Sequence, residues 1–328
     1  LRPAGPALAE VGVRDAVAAA LDLADLVAVG SGNGPAVQLA TQARTLLPSD
    51  PGYASTLPPP SFGVPAMTGN ADQAAALLTA AGYERVPRPD GTARWMRGGV
   101  PLTLLVAAQE ERDAYRTLAT RVVRQLNAAG IEAELVTPPG DELFAALTRP
   151  PAEPPSTTPA TTSRRPATST PSAAPGEGAP GEGDGGEGDG EQPAADLSAV
   201  DIAVVPRPVS GDPAADLASW YGCPGLGGPD DEEDGGAGGP ADAAEPENPA
   251  GYCNTALQAA MDDLLTGAST LAESLPTIEA VLWRDLPSVP LFQHSVVMVT
   301  GRDAGVVEPG PLLGGTLANA PRWRRAAR

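Results

Sequence analysis

Three glycines at alternate positions, Gly30, Gly32 and Gly34 in "AVGSGNGPAVQL", are the first residues whose spacing bears on chemistry. Ahead of a helix, such a run cradles phosphate on backbone N–H groups. A dinucleotide fingerprint must also follow a strand. This run follows a helical pattern instead and leads into Pro35 and a proline-rich stretch. A Walker loop needs a lysine, and none of the 328 residues is one; all 21 basic residues are arginine. Nor is "GSGNG" the Gly-x-Ser-x-Gly turn of a serine hydrolase. The single histidine, His294, stands two residues past Phe292 in a strand-like segment, the setting of a structural histidine. Dense carboxylates occur mainly in stretches read as disordered, where no pocket forms to split their pKa values. No catalytic constellation emerges, so the expectation is a non-enzyme without cofactor or metal.

The two cysteines, Cys223 and Cys253, flank an acidic run and are too few for a metal site. Their spacing is not that of a CxxC redox pair. The remaining reading is a structural disulfide closing a loop of about 30 residues, worth roughly 3–4 kcal/mol by chain entropy. Such a bond persists outside the cytoplasm.

The net charge of −20 is unevenly placed, since residues 151–250 hold 19 acidic residues against 3 arginines. No basic patch exists to neutralise phosphates, which argues against nucleic acid. No run of about 18 apolar residues is present to span a membrane. Residues 149–197, running from "RPPAEPPSTTPATT" to "GEGDGGEGDGEQP", contain no aromatic residue and no apolar period. Ordering each residue costs roughly 1–2 kcal/mol with nothing to bury in return, so this is read as a disordered insertion. A second one, about 226–249, includes "PDDEEDGGAGGPADAAEPE"; its spacing lacks the alternating oxygen ligands of a calcium loop.

The ordered stretches between these segments alternate in type. "VRDAVAAALDLADLVAVG" repeats apolar residues every three to four positions and predicts one helix over 13–28. "NADQAAALLTAAGY" predicts another, capped by Asn70, with Gln73 at the capping-box position and Gly82 as its left-handed stop. A turn at "RPDGT" precedes a buried strand over 101–107, a helix over 110–129 and a strand in "IEAELVT". That succession is a βαβ unit with parallel neighbouring strands. Further elements are expected at 141–148 (helix), 201–206 (strand), 213–221, 254–267 and 275–286 (helices), and 289–299 (strand), with Trp323 anchoring the tail.

In this order the segments resemble extracytoplasmic solute-binding proteins of family 5, the peptide- and nickel-binding group of ABC importers. The resemblance rests on "VRDAVAAALDLADLV", the proline-rich loop ending "DPGY", "ADQAAALLTAAGY", and "LTLLVAAQEERDAYRTLATRVVRQLNAAGIEAELV". It continues through "GDPAADLASWYG", "NPAGYCNTALQAAMDDLL" and "VPLFQHSVVMV". Among members, the chain is similar to actinobacterial LpqW-type lipoproteins. The resemblance implies an α/β, class II periplasmic-binding-protein-like lobe over 1–285, with 286–328 crossing back to complete the other lobe's sheet. A first lobe and a lipoprotein signal would precede Leu1, placing the protein at the cell envelope as a membrane-anchored lipoprotein. The implied function is solute binding for an ABC permease, as a monomer, with peptides or similar polar solutes as ligand. The alternative is a non-transport lipoprotein that regulates phosphatidylinositol mannoside and lipoarabinomannan assembly through a glycolipid or a membrane envelope enzyme. Asp212, in "RPVSGDP", matches the acidic residue that pairs with a peptide's amino group. Arg207 stands where the family commonly has an aromatic, and its planar fork suits phosphate or carboxylate. Trp220 and Tyr221 supply stacking surface. For Asp212 a helix N-cap ahead of Pro213 is the competing role, and for Trp220 and Tyr221 it is core packing.

Overall fold

A computed structural model of the chain describes residues 1–3, 5–32, 45–46, 65–89, 91–148, 197–207, 212–223, 248–293, 304–305, 321–322 and 324–325. The chain divides into two compact units, Leu1–Pro151 with Leu197–Arg328, and Ala152–Asp196. All described residues belong to the first unit. Residues 149–196 of the first insertion, 226–247 of the second, the loop over 47–64, His294 and Trp323 lie outside the described residues.

Two helices, α1 (Val11–Ala20) and α2 (Leu23–Gly30), stand where the sequence predicts one. The break has a local cause. Leu21 is extended, and the Asp22 side chain accepts the Asp25 N–H at 3.1 Å, so it starts a new helix in mid-pattern. Gln125 fixes the break from outside, accepting the Asp22 N–H at 2.9 Å and donating to Asp25 at 2.7 Å. Helix α3 (Ala71–Ala80) follows the expected pattern. Asn70 accepts from the Gln73 N–H, and Gly82, at φ +81°, ends the helix in the left-handed region.

A three-stranded antiparallel sheet follows, formed by β1 (Glu84–Pro87), β2 (Ala93–Arg97) and β3 (Val100–Pro101). The "RPDGT" turn is its first hairpin. The second sheet is parallel, with β4 (Thr103–Ala108) at its centre, β5 (Glu132–Val136) on one side and β6 (Ile202–Val204) on the other. Leu104 pairs with Ala133, and Ala107 with Ala203. Helix α4 (Asp113–Ala128) makes the crossover between β4 and β5, burying Leu118, Val122 and Leu126. Helix α5 (Gly140–Thr148) follows β5. The sequence-predicted βαβ unit is therefore present, with the strand at 101–107 shifted to 103–108.

The main core gathers Val13, Val17, Leu26, Leu78, Leu104, Val106, Leu126 and Ile131 between the parallel sheet and helices α1 to α4. Fully burying each such side chain contributes about 1.5–3 kcal/mol against exposure. Asp201 ties the edge strand to the centre. Its carboxylate accepts the Leu105 N–H at 2.9 Å, and its own N–H donates to the Leu105 carbonyl at 3.0 Å.

A second core unites α6 (Pro213–Tyr221), α7 (Thr255–Leu265) and α8 (Leu271–Asp285) around Leu217, Tyr221, Leu257, Met261, Ile278 and Leu282. Helix α8 begins four residues earlier than predicted. A capping box between Thr270 and Glu273 starts it, and Pro276 is accommodated inside. The predicted strand over 289–299 is not a strand in its described part, 289–293. Leu291 and Phe292 pack there against the main core, and a Cβ on Gly30 would collide with the Phe292 ring. The remaining strands are the short pair β7 (Ala304–Gly305) and β8 (Arg324–Arg325).

Candidate ligand-binding rim

In open α/β sheets the ligand crevice lies beyond the carboxyl ends of the strands. Here that rim carries Gln109 to Arg112 after β4, Thr137 to Pro139 after β5, and Val205 to Arg207 after β6. The central loop leans toward β5. Glu110 donates its N–H to the Pro138 carbonyl at 2.9 Å, and Glu111 accepts the Gly140 N–H at 3.1 Å. Among the described residues, the β6 side of the rim carries Arg207, which meets helix α6.

The structure brings Arg207, Trp220 and Tyr221 together, although the first and second stand 13 positions apart in sequence. The guanidinium carbon of Arg207 lies 5.6 Å from the Trp220 ring centroid and 5.3 Å from that of Tyr221. Both distances fall within cation–π range. Tyr221 is buried and locked: its hydroxyl is 2.7 Å from Ser288 Oγ, and its ring meets Tyr252 edge-on at 6.4 Å. Trp220 is only half-buried. Tyr221 thus supports the wall, while Trp220 keeps surface for contact.

Asp212 sits at the start of α6. One carboxylate oxygen accepts the Ala214 and Ala215 N–H groups at 3.0 and 3.3 Å, and Pro213 occupies the first helical position. The N-cap role is therefore filled. Cys223 and Cys253 form a disulfide with a Cα–Cα distance of 4.6 Å, directly after α6 and before α7.

Sequence reasoning missed two residues that hold this region together. Asn248, buried at φ +26°, donates from its amide to the Gly222 and Tyr252 carbonyls at 2.8 and 2.7 Å and accepts the Tyr252 N–H. Asp285 accepts from the Tyr252 hydroxyl at 2.6 Å and from Asn254 at 3.1 Å. Burial pulls the Asp285 carboxyl upward, but hydrogen bonds from Arg284, Tyr252 and Asn254 outweigh it and hold the group below its ordinary value. Burial and the bond to Asp285 push the Tyr252 hydroxyl well up, so it stays a protonated donor. Asn before a Pro-Ala-Gly turn was the one local hint of the Asn248 clamp.

Among the described residues no three His, Cys, Asp or Glu side chains converge as a metal site. No helix among them is long and apolar enough to cross a membrane. What the rim can do chemically is present a cation against aromatic surface.

Residues 1–154 match the family described as bacterial extracellular solute-binding proteins, family 5 Middle. No curated protein matches the chain. Among solved structures, the fold is similar to the periplasmic EDTA-binding protein EppA (TM-score 0.59, 16% identity), covering 100% of this chain and 48% of that one. A mannohexaose-bound oligopeptide-binding protein from Thermotoga maritima gives a TM-score of 0.55 at 16% identity, covering 87% of this chain and 41% of the other. The oligopeptide-binding protein AppA from Bacillus subtilis, solved with a nonapeptide, gives 0.52 at 14% identity, with 89% and 43% covered. The chain thus spans less than half the length of each. Residues 1–154 thus resemble family 5 of the bacterial extracellular solute-binding proteins, and the chain shares its α/β fold with solved proteins of the periplasmic-binding type.

Proposed function

We propose that the chain forms the second half of an extracytoplasmic solute-binding protein that delivers peptides or similar polar solutes to an ABC permease. In this reading residues 1–285 build one α/β lobe, and 286–328 return to the other. The two lobes close over the ligand by hinge motion. Arg207, Asp212, Trp220 and Tyr221 line or support the lobe's share of the cleft, and no bond is made or broken there.

The observation that carries the reading is the arginine–aromatic cluster at the carboxyl rim of the parallel sheet, on a fold shared with binding proteins. The rim is the expected face for a ligand, and Trp220 offers stacking surface to a peptide or a sugar. Tryptophan fluorescence of the full chain, titrated with a peptide pool and separately with phosphatidylinositol mannosides, tests it. Saturable binding of peptides, weakened by Trp220→Ala, is the expected result. Binding of the mannosides alone would replace import with the regulatory envelope-lipoprotein role.

A further inference from the structure

We infer that Arg85 and the indole N–H of Trp95 bind a small oxyanion, a carboxylate or a phosphate, over Gly130 at the turn between α4 and β5. This turn stands at the amino end of β5, the opposite end of the parallel sheet from the rim. The inference therefore does not depend on the solute-binding reading.

Trp95 is packed into the main core at 4% exposure, yet its Nε1 has no hydrogen-bond partner. A buried donor in that state bears its desolvation cost uncompensated. Where the chain supplies no acceptor, native proteins usually take one from a water or an ion.

Arg85 decides between the two. It is the cross-strand neighbour of Trp95 on the same face of the β1–β2 hairpin, and it is exposed. It makes no hydrogen bond or ion pair among the described residues. A Cβ on Gly130 would lie 3.7 Å from Arg85 Nη2 and 3.8 Å from Trp95 Nε1. The two donors thus converge over a residue with no side chain, whose φ of +80° disfavours one. An oxygen held there meets a fixed N–H and a guanidinium together, and the guanidinium favours oxygens that carry charge.

Competing charges near the turn are already engaged. Glu132 pairs with Arg88, and Glu84 lies on the opposite face of the hairpin. The last carbonyls of α4, on Gln125, Asn127 and Leu126, accept the Ala129, Gly130 and Ile131 N–H groups at 3.0, 3.0 and 2.9 Å. Those bonds moderate the negative end of the helix. Arg85 is left as the charge beside the Trp95 N–H.

NMR of the indole N–H groups of the full chain tests this, with the Trp95 signal assigned by Trp95→Phe or by its proximity to Gly130. Inorganic phosphate, standing for phosphate ligands, and acetate, standing for carboxylates, are each expected to shift that signal saturably. Chloride at the same ionic strength should leave it in place. Arg85→Met should weaken the binding at least about tenfold, the value of one charge-assisted pair. Arg85→Lys, which keeps the charge without the fork, should retain part of it. Arg94→Met, on the opposite face of the hairpin, should change nothing. Thermal melting without anion establishes that the variants are folded. Saturation by only one of the two anions upholds the site and names its ligand class. A signal that neither anion moves, one that chloride moves equally, or a shift that survives Arg85→Met overturns it and leaves the N–H to water.

Discussion

The region around β4 and the region around α8 are stabilised by different means. Around β4 the elements from α3 to β5 follow one another closely in sequence, and large apolar side chains such as Leu104, Leu126 and Ile131 are fully buried among them. Around α8, three helices arrive in pieces, with Cys223 and Cys253 separated by 30 positions. Cross-links supplement burial there: the disulfide, the Asn248 clamp, the Tyr252 and Asn254 bonds to Asp285, and the Tyr221–Ser288 pair. Long connections cost more loop entropy before any packing compensates. Directional bonds also fix side chains more precisely than burial does. The cluster of Arg207, Trp220 and Tyr221, proposed above to line the cleft, sits on the cross-linked region.

The largest effect should come from the apolar side of this contrast. Leu104→Ala, in a fully buried site at the sheet centre, should cost about 4 kcal/mol in urea unfolding. A cost below about 1 kcal/mol would mean that the sheet core is not the main support. Replacing both cysteines by serine should cost about 3.5 kcal/mol for a loop of this length. Hydrogen exchange should then rise in α6 and α7 while β4 and β5 stay protected. An equal rise in all four would erase the distinction between the regions. Asn248→Ala removes a buried amide with bonds to Gly222 and Tyr252, at an expected cost of about 2–3 kcal/mol in the same assay.

The smallest effect is a matter of pH, and the two regions should respond with opposite sign. Burial pushes the Asp15 carboxyl on α1 up to about 6, partly opposed by Arg14. Its ionised form is thus penalised in the fold: the penalty is complete above about pH 6 and gone below the unfolded value near 4. Stability from this group rises as pH falls between those limits. Asp201, also raised by burial, adds to the same slope. Asp285 is held low, so its contribution is present above the unfolded value and lost as pH falls through its folded one. Asp15→Asn should flatten the slope between pH 6 and 4 and add about 1 kcal/mol at pH 7, discounted for a side chain half in water. Melting curves over pH 3–8 read both effects, and an unchanged slope in Asp15→Asn would remove the acid penalty from the account.

Much of the apolar region was legible because its signals are local. Asn70 and Gly82 bound α3, period-two and period-3.6 patterns separate β5 from α4, and their succession gives the parallel pairing. The α1–α2 break was not legible from periodicity, since the apolar repeat runs through it, although Asp22 was there as a cap. The hairpin of β1 and β2 was missed because its strands are arginine-rich and only Trp95 is buried. In the cross-linked region, the cysteine pair and the Asp212–Pro213 helix start could be read directly. The arginine–aromatic cluster could be nominated residue by residue, but its geometry depends on tertiary contacts. Asn248 had only the following Pro-Ala-Gly turn as a local hint, and Asp285 acts through Tyr252 and Asn254, more than 30 positions away, which no local pattern reveals.

On the proposed function this fold holds a solute and returns it unchanged. Native mass spectrometry of the full chain incubated with a defined peptide pool measures that directly. The expected result is a saturable non-covalent adduct whose released peptides keep their original masses. Cleaved or modified peptides, or no adduct at any concentration, would contradict it.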